Sequence, residues 1–311
     1  MTDARQPNSD TTATELPDHP TRTALVLGGG GSAGNAWLIG VIAGLCQAGV
    51  DVTEADLIIG TSAGSTAAAQ ITGATPADLL ADILTAAPHP PAGPAGSGRG
   101  AGSAGAVANR MAITSAIIAA STDAADMRRR VGAAALAPDA GPHSSARWRA
   151  TVAARLPSPL WPHRRMLITA VDARTGEPVV FDRHSGVDLV DAVAASCSSG
   201  AAYSVGDDRY IDGGYRSNAD NADLAAGYAR VLVLSPFGGR SRTPVEWGTH
   251  LASQVDELRA GGSRVETIFP DGNARAAFGD NAMDLSTRPP AARAGYDQGR
   301  ALAQGLTEFW R

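Results

Sequence analysis

Lysine is absent from this sequence, and all 26 of its basic residues are arginines. This absence excludes the phosphate-binding lysine of a P-loop, the Schiff-base lysine of pyridoxal enzymes and any lysine nucleophile. The formal net charge at pH 7 is −5, so the chain lacks the overall basic field that attracts nucleic acid. We therefore expect no nucleic-acid partner.

Cysteine and metal-binding patterns are also scarce. The two cysteines, Cys46 and Cys197, lie among apolar or small residues, and we predict two buried free thiols rather than a disulfide or a metal site. No CxxC, HExxH or clustered His/Cys spacing is present. We expect neither a metal ion nor another cofactor.

Long hydrophobic runs are missing as well. No apolar run approaches the ~20 residues that span a bilayer, and the longest candidate, residues 111–120, is about half that length. Residues 1–20 are polar and contain no secretory signal. These features predict a soluble, cytoplasmic protein.

The chain divides by composition into a tail and one large domain. Residues 1–22 are rich in Thr, Asp and Pro and lack periodicity, so we predict a disordered tail. Residues 23–311 are predicted to form a single domain with a sizeable core. An insertion is predicted at about residues 86–165. Its first part, to residue 109, is mostly Ala, Gly, Pro and Ser and is predicted to be flexible, whereas its second part has helical patches.

Short apolar runs, glycine turns and helical patterns alternate at the start of this domain. Residues 23–27 and 56–59 are predicted strands, and helices are predicted at 35–48 and from residue 65 to 71. This repeated order of strand, turn and helix is typical of a doubly wound α/β sheet. Later elements are predicted as strands at 166–171, 179–181, 209–211, 230–234 and 264–269, and as helices at 187–195, 245–260 and 291–309.

The first glycine turn, Gly28–Gly34, connects a predicted strand to a predicted helix. It contains Gly29-x-Gly31-x-x-Gly34, and Asp51 follows Gly31 by twenty positions, which together match a dinucleotide-binding turn. A glycine run that exposes N–H groups at the start of a helix can bind a phosphate, but it can equally receive an oxyanion during acyl transfer. Both interpretations stay open at this point.

The second turn is Gly60-Thr61-Ser62-Ala63-Gly64, which matches the G-x-S-x-G nucleophile elbow. The small residues around Ser62 suit a sharp turn between a strand and a helix, and the Ala63 N–H is a candidate oxyanion donor. A second match, Gly30–Gly34, is centred on Ser32. We predict Ser62 as the nucleophile because an apolar strand leads directly to it, whereas four glycines precede Ser32.

The third turn is Asp212-Gly213-Gly214, at the end of a predicted strand. Taken alone, this sequence favours an ordinary β-turn. Beside a nucleophilic serine, however, Asp212 can serve as the general base if burial raises its pKa. A triad containing one of the six histidines is the alternative, although none stands in a recognisable late-chain loop.

In this order, the three turns and the segment Ala194–Ser199 resemble the patatin-like phospholipase family over about residues 23–235. The resemblance implies a three-layer α/β/α fold with a mostly parallel central sheet and a nucleophile elbow between a strand and a helix. It also implies a Ser62–Asp212 dyad without histidine, and an oxyanion hole formed by the amides of Gly29, Gly30 and Gly31. The implied activity is hydrolysis of lipid carboxylic esters, of the phospholipase A or lipid acyl hydrolase type. Ala33 departs from the family, which usually has a basic residue at that position.

Other functions are compatible with parts of the sequence. A nucleotide-binding protein would use the first glycine turn with Asp51, a general esterase or thioesterase would use the same dyad, and a non-enzymatic relative would only bind lipid. Trp148 and Trp161 stand beside arginines, as at a lipid headgroup interface, and predict transient membrane contact. The helical apolar stripe within residues 111–118 equally suits packing on the sheet.

Overall fold

The computed structural model describes residues 22–87, 100–137 and 143–310. The predicted tail, except for Arg22, and residues 88–99 of the predicted flexible stretch lie outside this part of the chain. The strands of the described part are β1 Thr23–Leu27, β2 Leu57–Gly60, β3 Arg165–Asp172, β4 Pro178–Phe181, β5 Tyr203–Val205, β6 Asp208–Asp212, β7 Arg230–Leu234 and β8 Arg264–Ile268. Its α-helices are α1 Gly31–Gln47, α2 Ala63–Ile71, α3 Pro76–Thr85, α4 Gly100–Ala120, α5 Ala124–Leu136, α6 His143–Ala153, α7 Leu189–Ser196, α8 Leu251–Ala260, α9 Gly272–Phe278 and α10 Arg288–Trp310.

All eight strands belong to one mixed sheet. Its hydrogen-bonded path runs β5–β6–β3–β2–β1–β7–β8, and β4 pairs with β3 beside this path. The pairs from β3 through β2, β1 and β7 to β8 are parallel, whereas β4, β5 and β6 pair in antiparallel fashion. The predicted, mostly parallel sheet is therefore confirmed.

Helices cover both faces of the sheet. Along β1, Leu25 and Leu27 face a core shared with α1, α2, α3, α7 and α10, whereas Ala24 and Val26 face a second core shared with α8. This alternation follows from the two-residue repeat of a strand, and each face is apolar because each is covered. The fold is the predicted three-layer α/β/α arrangement, with the turn at Ser62 between β2 and α2.

Several predicted elements differ from the structure in extent. Helix α1 begins at Gly31 rather than at residue 35, and the predicted helix 245–260 is α-helical only over Leu251–Ala260. The latter is interrupted at Gly248, whose φ of +67° ends a short 3-10 turn. Residues 100–109, predicted as flexible, belong to α4, which is consistent with the high helix propensity of alanine.

The insertion packs against the sheet. Ile118 of α4, Met127 and Val131 of α5 and Ile211 of β6 share one buried cluster. Thr114 is buried as well, whereas Met111 is 55% exposed. The apolar stripe of α4 therefore serves mainly to pack the helix onto the domain. None of the helices in the described part of the chain combines the length and apolar character that crossing a bilayer requires.

Trp148 and Trp161 are also held by the interior. Both pack against the main core, and their indole N–H groups donate to the carbonyl oxygens of Ala194, at 3.0 Å, and Val187, at 2.8 Å. A tryptophan that anchors in a membrane interface presents its ring and N–H to the headgroup region. These two rings instead join α6 and the chain before β3 to the rest of the domain.

The central helix α1 packs unusually close to α10. Glycines of both helices make the close contact: Gly40 and Gly44 of α1 lie against the backbone of α10, and Gly295 and Gly299 of α10 lie against the backbone of α1. A side chain at any of these positions would overlap the neighbouring backbone, which cannot move like a flexible side chain. The glycines thus allow α10 to cover α1.

We predict that Gly44→Ala destabilises the protein by at least ~1 kcal/mol, because overpacking exceeds the gain in helix propensity. Its Cβ would overlap the Tyr296 carbonyl oxygen and lie 2.9 Å from the Arg300 nitrogen. Gly305→Ala is the matched control, since a Cβ at this α10 position meets no atom within 4 Å. Thermal or urea unfolding should show a loss for the first variant and no loss for the second. Equal stability of both would contradict the packing argument.

Candidate active site

Ser62 occupies a strained turn between β2 and α2. Its φ of 52° and ψ of −118° are rare for a residue with a side chain, and such strain is typical of functional turns. The flanking glycines make the turn possible. A Cβ at Gly60 would lie 2.6 Å from the Cα of Ser65, and one at Gly64 would overlap the Leu27 carbonyl oxygen. The structure therefore gives Ser62 the backbone geometry of a nucleophile elbow.

The side chain of Ser62 meets that of Asp212. The serine Oγ–H donates to the aspartate Oδ2 at 2.8 Å, although the two residues are 150 positions apart. This hydrogen bond brings together the two side chains that the sequence singled out.

The register of β3 explains why these residues meet. Ile168 pairs with Gly60 of β2 and Ala170 pairs with Asp212 of β6. Because β4 pairs with the same two residues from the other side, β2 and β6 share one edge of β3. They approach each other end to end, two residues or about 6.6 Å apart along β3. The turn after Gly60 therefore faces the carboxylate at the end of β6.

Burial governs the charge of Asp212. The residue is only 7% exposed, and its Oδ1 accepts the Gly214 N–H at 2.8 Å. Burial raises the pKa of Asp212 to about 6, against the lowering effect of the hydrogen bonds from Gly214 and Ser62. At neutral pH the carboxylate is therefore largely ionised yet more basic than an exposed aspartate. Gly213 permits this turn, because a Cβ there would overlap Thr169.

The helices α1 and α2 both begin beside Ser62. A Cβ at Gly29 would lie 3.4 Å from that of Ser62, and α2 starts at the next residue, Ala63. The first N–H groups of a helix have no partner within it and carry partial positive charge. Two helix starts therefore direct such groups toward the serine.

The four predicted oxyanion donors are not equivalent. The Gly29 N–H donates to the Ala219 carbonyl oxygen at 2.8 Å. The N–H groups of Gly30, Gly31 and Ala63 have no acceptor within the described part of the chain. Gly29 is thus occupied in holding the loop, and three of the four groups are available to a ligand. Gly34 lies one turn into α1, where a Cβ would approach Pro236.

Two side chains of the segment Ala194–Ser199, to which the sequence analysis gave no role, hold the Ser62 backbone. Ser196, which is fully buried, accepts the Ser62 N–H with its Oγ at 2.9 Å. Cys197 donates its thiol to the Ser62 carbonyl oxygen at 3.1 Å. Burial raises the pKa of the Cys197 thiol to about 11, so it remains protonated at neutral pH. Cys46 and Cys197 are both free, as predicted, but both are only partly buried.

Asn221 connects the serine turn to the aspartate turn. It is fully buried, and its amide donates to the Thr61 hydroxyl and to the Gly213 carbonyl oxygen, each at 3.0 Å. The neighbouring Asp220 is buried beside Gly28, and burial raises the pKa of its carboxyl to about 7. Neither residue lies in a motif that indicated a site, since both act through partners distant in sequence.

None of the side chains of His163, His184 and His250 contacts Ser62 or Asp212, and the side chain of His143 lies outside the described part. His163 and His184 are exposed, and His250 forms a 2.7 Å hydrogen bond with the Thr243 carbonyl oxygen. His19 and His89 lie outside the described residues. Within the described residues there is also no group of three or more His, Cys, Asp or Glu side chains placed to hold a metal ion.

Asp51 does not join the first glycine turn. It follows the far end of α1, and the 17 residues of that helix separate it by about 25 Å from the glycines. Its carboxylate accepts the Thr53 N–H at 2.9 Å and the Thr53 hydroxyl at 2.7 Å. The acidic residue of the dinucleotide-binding interpretation is therefore at the wrong end of the helix.

The Ser62 hydroxyl stands on a strained turn between a strand and a helix, with a buried carboxylate and free N–H groups beside it. Such an arrangement is suited to acyl transfer. The family model of the patatin-like phospholipases matches residues 25–225. The chain therefore belongs to the patatin-like phospholipase family.

Individual relatives are more distant. The crystal structure of the type III effector protein ExoU matches 92% of this chain with 15% sequence identity and a TM-score of 0.34. The chain spans about half of that protein, 53% of its length. None of the curated proteins matches the sequence.

Proposed function

We propose that this protein is a serine acyl hydrolase that cleaves carboxylic esters of lipids through a Ser62–Asp212 dyad. The 2.8 Å hydrogen bond between the strained serine and the buried aspartate carries this proposal. The family supplies the lipid ester as the substrate class. Residues 23–311 act as one catalytic domain in this proposal, because α10 at the end of the chain covers α1 at its start.

The reaction takes place in two halves. Asp212 accepts the hydroxyl proton of Ser62 while the serine oxygen attacks the ester carbonyl carbon. The carbonyl oxygen becomes an oxyanion, which the N–H groups of Gly30, Gly31 and Ala63 receive. When the tetrahedral intermediate collapses, the alcohol departs with the proton held by Asp212 and leaves an acyl-serine. Water, deprotonated by the same carboxylate, then releases the acid and restores Ser62.

The environment of Asp212 suits both halves. A base works best when its pKa lies near the operating pH, and burial brings the pKa of Asp212 to about 6. The Gly214 N–H keeps Oδ1 fixed, so Oδ2 faces the serine. The carboxylate can therefore accept a proton from an adjacent hydroxyl without an intervening histidine.

The same dyad would serve a general esterase or thioesterase, which differs only in the leaving group. A nucleotide-binding function is not favoured, because Asp51 lies at the opposite end of α1. A protein that only binds lipid would need neither the strained turn at Ser62 nor the carboxylate beside it. The site geometry favours catalysis.

A fluorophosphonate probe tests the proposal. Mass spectrometry of the digested protein should find the adduct on Ser62, and hydrolysis should be measured on phospholipids, neutral lipid esters, thioesters and a short soluble ester. Lipid esters are expected to be the best substrates. Absence of labelling, or an adduct only on another serine, would overturn the dyad. Preference for thioesters or short esters would retain the dyad and change the substrate class.

We further propose transient lipid contact beside the glycine loop rather than at the tryptophans. Phe237 is 40% exposed and follows Pro236, which packs on Gly30 and Gly34. Met283 is 53% exposed and lies against Gly31. Exposed apolar side chains beside a lipid site can enter the headgroup region of a membrane.

Phe237→Asn should therefore slow the hydrolysis of phospholipid vesicles several-fold, because it removes apolar area from the contacting surface. Hydrolysis of a short soluble ester should remain within about twofold of the wild-type rate. Leu302→Asn is the control, since Leu302 is 37% exposed but lies in the later part of α10. A parallel loss on both substrates, or the same effect from Leu302→Asn, would contradict lipid contact at this surface.

A further inference from the structure

The segment between α9 and α10 lies against the start of α1. The Ala33 N–H donates to the Ala282 carbonyl oxygen at 2.9 Å, and the Met283 sulfur lies against Gly31. The first residue of α10, Arg288, donates from Nη1 to the carbonyl oxygen of Ser32, at 3.2 Å. The family model matches residues 25–225. These contacts therefore come from a part of the chain that follows the matched region.

Nη1 of Arg288 also donates a hydrogen bond to Oδ1 of Asn35, at 3.0 Å. Arginine is only a donor, so the oxygen of the asparagine amide must face Arg288 and its nitrogen must face away. That nitrogen donates to Oε1 of Gln70, at 2.9 Å, and lies 3.4 Å from the Ala63 carbonyl oxygen. Arg288 therefore orients an amide that joins α1 to α2.

These two helices provide the proposed oxyanion donors from opposite sides. Gly30 and Gly31 stand at the start of α1, and Ala63 is the first residue of α2. Three N–H groups can receive one oxygen only if the two helix starts keep a fixed separation. Asn35 is the buried side chain that bridges them.

The charge of Arg288 has no carboxylate partner. Within the described residues it forms no ion pair, and the oxygens that accept its hydrogen bonds are neutral. Burial lowers the pKa of Arg288 to about 10, so the side chain remains charged at neutral pH. A partly buried cation without an anion is costly, and it lies beside the turn where the proposed reaction develops negative charge.

We propose that Arg288 is a positioning residue of the oxyanion hole, holding Asn35 and the first turn of α1 so that Gly30 and Gly31 stay aligned with Ala63. The inference rests on the proposed serine hydrolase function. In this proposal the reaction needs a residue of α10 to keep the oxyanion donors aligned. Arg288 acts through these groups and does not itself touch the substrate.

The test compares Arg288→Met and Arg288→Lys with Arg293→Met, an exposed arginine on the same helix. We expect Arg288→Met to lower kcat by ~10-fold or more, less than the ~10²–10³-fold lost with a direct oxyanion donor. KM should remain within about twofold. Arg288→Lys should recover part of the rate because it retains the charge. Arg293→Met should behave as wild type.

A trifluoromethyl ketone, which mimics the tetrahedral intermediate, separates positioning from general stability. Its affinity should fall in proportion to kcat/KM in the Arg288 variants, because both report transition-state binding. A folded Arg288→Met enzyme with kcat within twofold of wild type, or with only KM altered, overturns the inference. If Arg288→Met does not fold, Arg288→Leu, which also lacks a donor, is judged by the same criteria. If neither folds, Arg288 is structural and the positioning role is rejected.

The two proposals fail in different ways. An active Arg288→Met enzyme whose Ser62 is still labelled removes the role of Arg288 and retains the dyad. Absence of serine labelling in the wild-type protein removes the dyad itself.

Discussion

Ser62→Ala is expected to abolish fluorophosphonate labelling and to reduce ester hydrolysis by ~10⁴-fold or more, because no other group forms the acyl-enzyme. The measurements are gel-based labelling and single-turnover hydrolysis of a soluble ester. The fold should persist, since the change removes one oxygen from a partly buried side chain. Circular dichroism and the unfolding midpoint verify this.

Ser32→Ala is the matched control, because Ser32 is the centre of the second G-x-S-x-G match in the chain. This variant should retain labelling and at least half of the wild-type rate. The opposite result, an active Ser62→Ala protein and an inactive but folded Ser32→Ala protein, would move the nucleophile to Ser32. Ser62→Gly adds a second check. It should be inactive yet about 1 kcal/mol more stable than Ser62→Ala, because glycine tolerates the φ of 52°.

Asp212→Asn is expected to lower kcat by ~10²-fold or more, within the usual range for a lost general base. An asparagine has nearly the same shape and its oxygen can still accept the Gly214 N–H, but its amide cannot take the proton of Ser62. Wild-type kcat/KM should fall below pH 6, because protonation of Asp212, whose pKa is raised to about 6, removes the base. The residual activity of Asp212→Asn should lack this acid limb.

The raised pKa of Asp212 also predicts how the free energy of unfolding changes with pH. The pKa of Asp212 is about 6 in the folded protein, above the ~3.9 of an exposed aspartate. The folded state therefore binds this proton more tightly, so the contribution of Asp212 to stability falls as the pH rises from about 4 to about 6. Relative to wild type, Asp212→Asn should gain stability across that window. A constant difference in unfolding free energy between pH 4 and 7 would contradict the raised pKa.

Histidine substitutions complete this test. Single alanine variants of His143, His163, His184 and His250 should each remain active, because the proposed dyad needs no histidine. A folded but inactive variant would restore a histidine-containing triad and reduce Asp212 to an orienting role.

The sequence predicted best the elements whose apolar pattern has clear ends. The predicted bounds of strands β1 and β7 agree with the structure at both ends, because each strand is a short apolar run with a clear end. The start of α1 was placed late, because glycine is a poor helix former and the contacts that hold Gly31 and Ala33 come from residues 282 and 283. Helices α3 and α9 and strand β5 were not predicted at all.

The site shows the same division. Ser62 could be found because an apolar strand leads directly to its G-x-S-x-G turn, and Asp212 because its turn follows two other glycine turns in the order of the family. The engagement of Gly29 with Ala219 could not be found, since that acceptor lies far along the chain. Asn221 and Arg288 were missed for the same reason, and so was the contact of Ser196 with Ser62, although its segment was singled out. Trp148 and Trp161 were interpreted as a lipid interface from their arginine neighbours, whereas each is half-buried and its indole N–H donates to a backbone carbonyl of the domain.

The end-to-end approach of β2 and β6 along β3 sets the spacing of the two strand ends without the crossover from β2 to β3. The serine and the aspartate turns follow pairings with Ile168 and Ala170, two residues apart on the same edge of β3. The long crossover from β2 to β3, residues 61–164, enters that geometry only at its two ends. Its length and composition can therefore drift during evolution while the dyad remains in register, whereas a single-residue deletion between Ile168 and Ala170 would separate the pair at once.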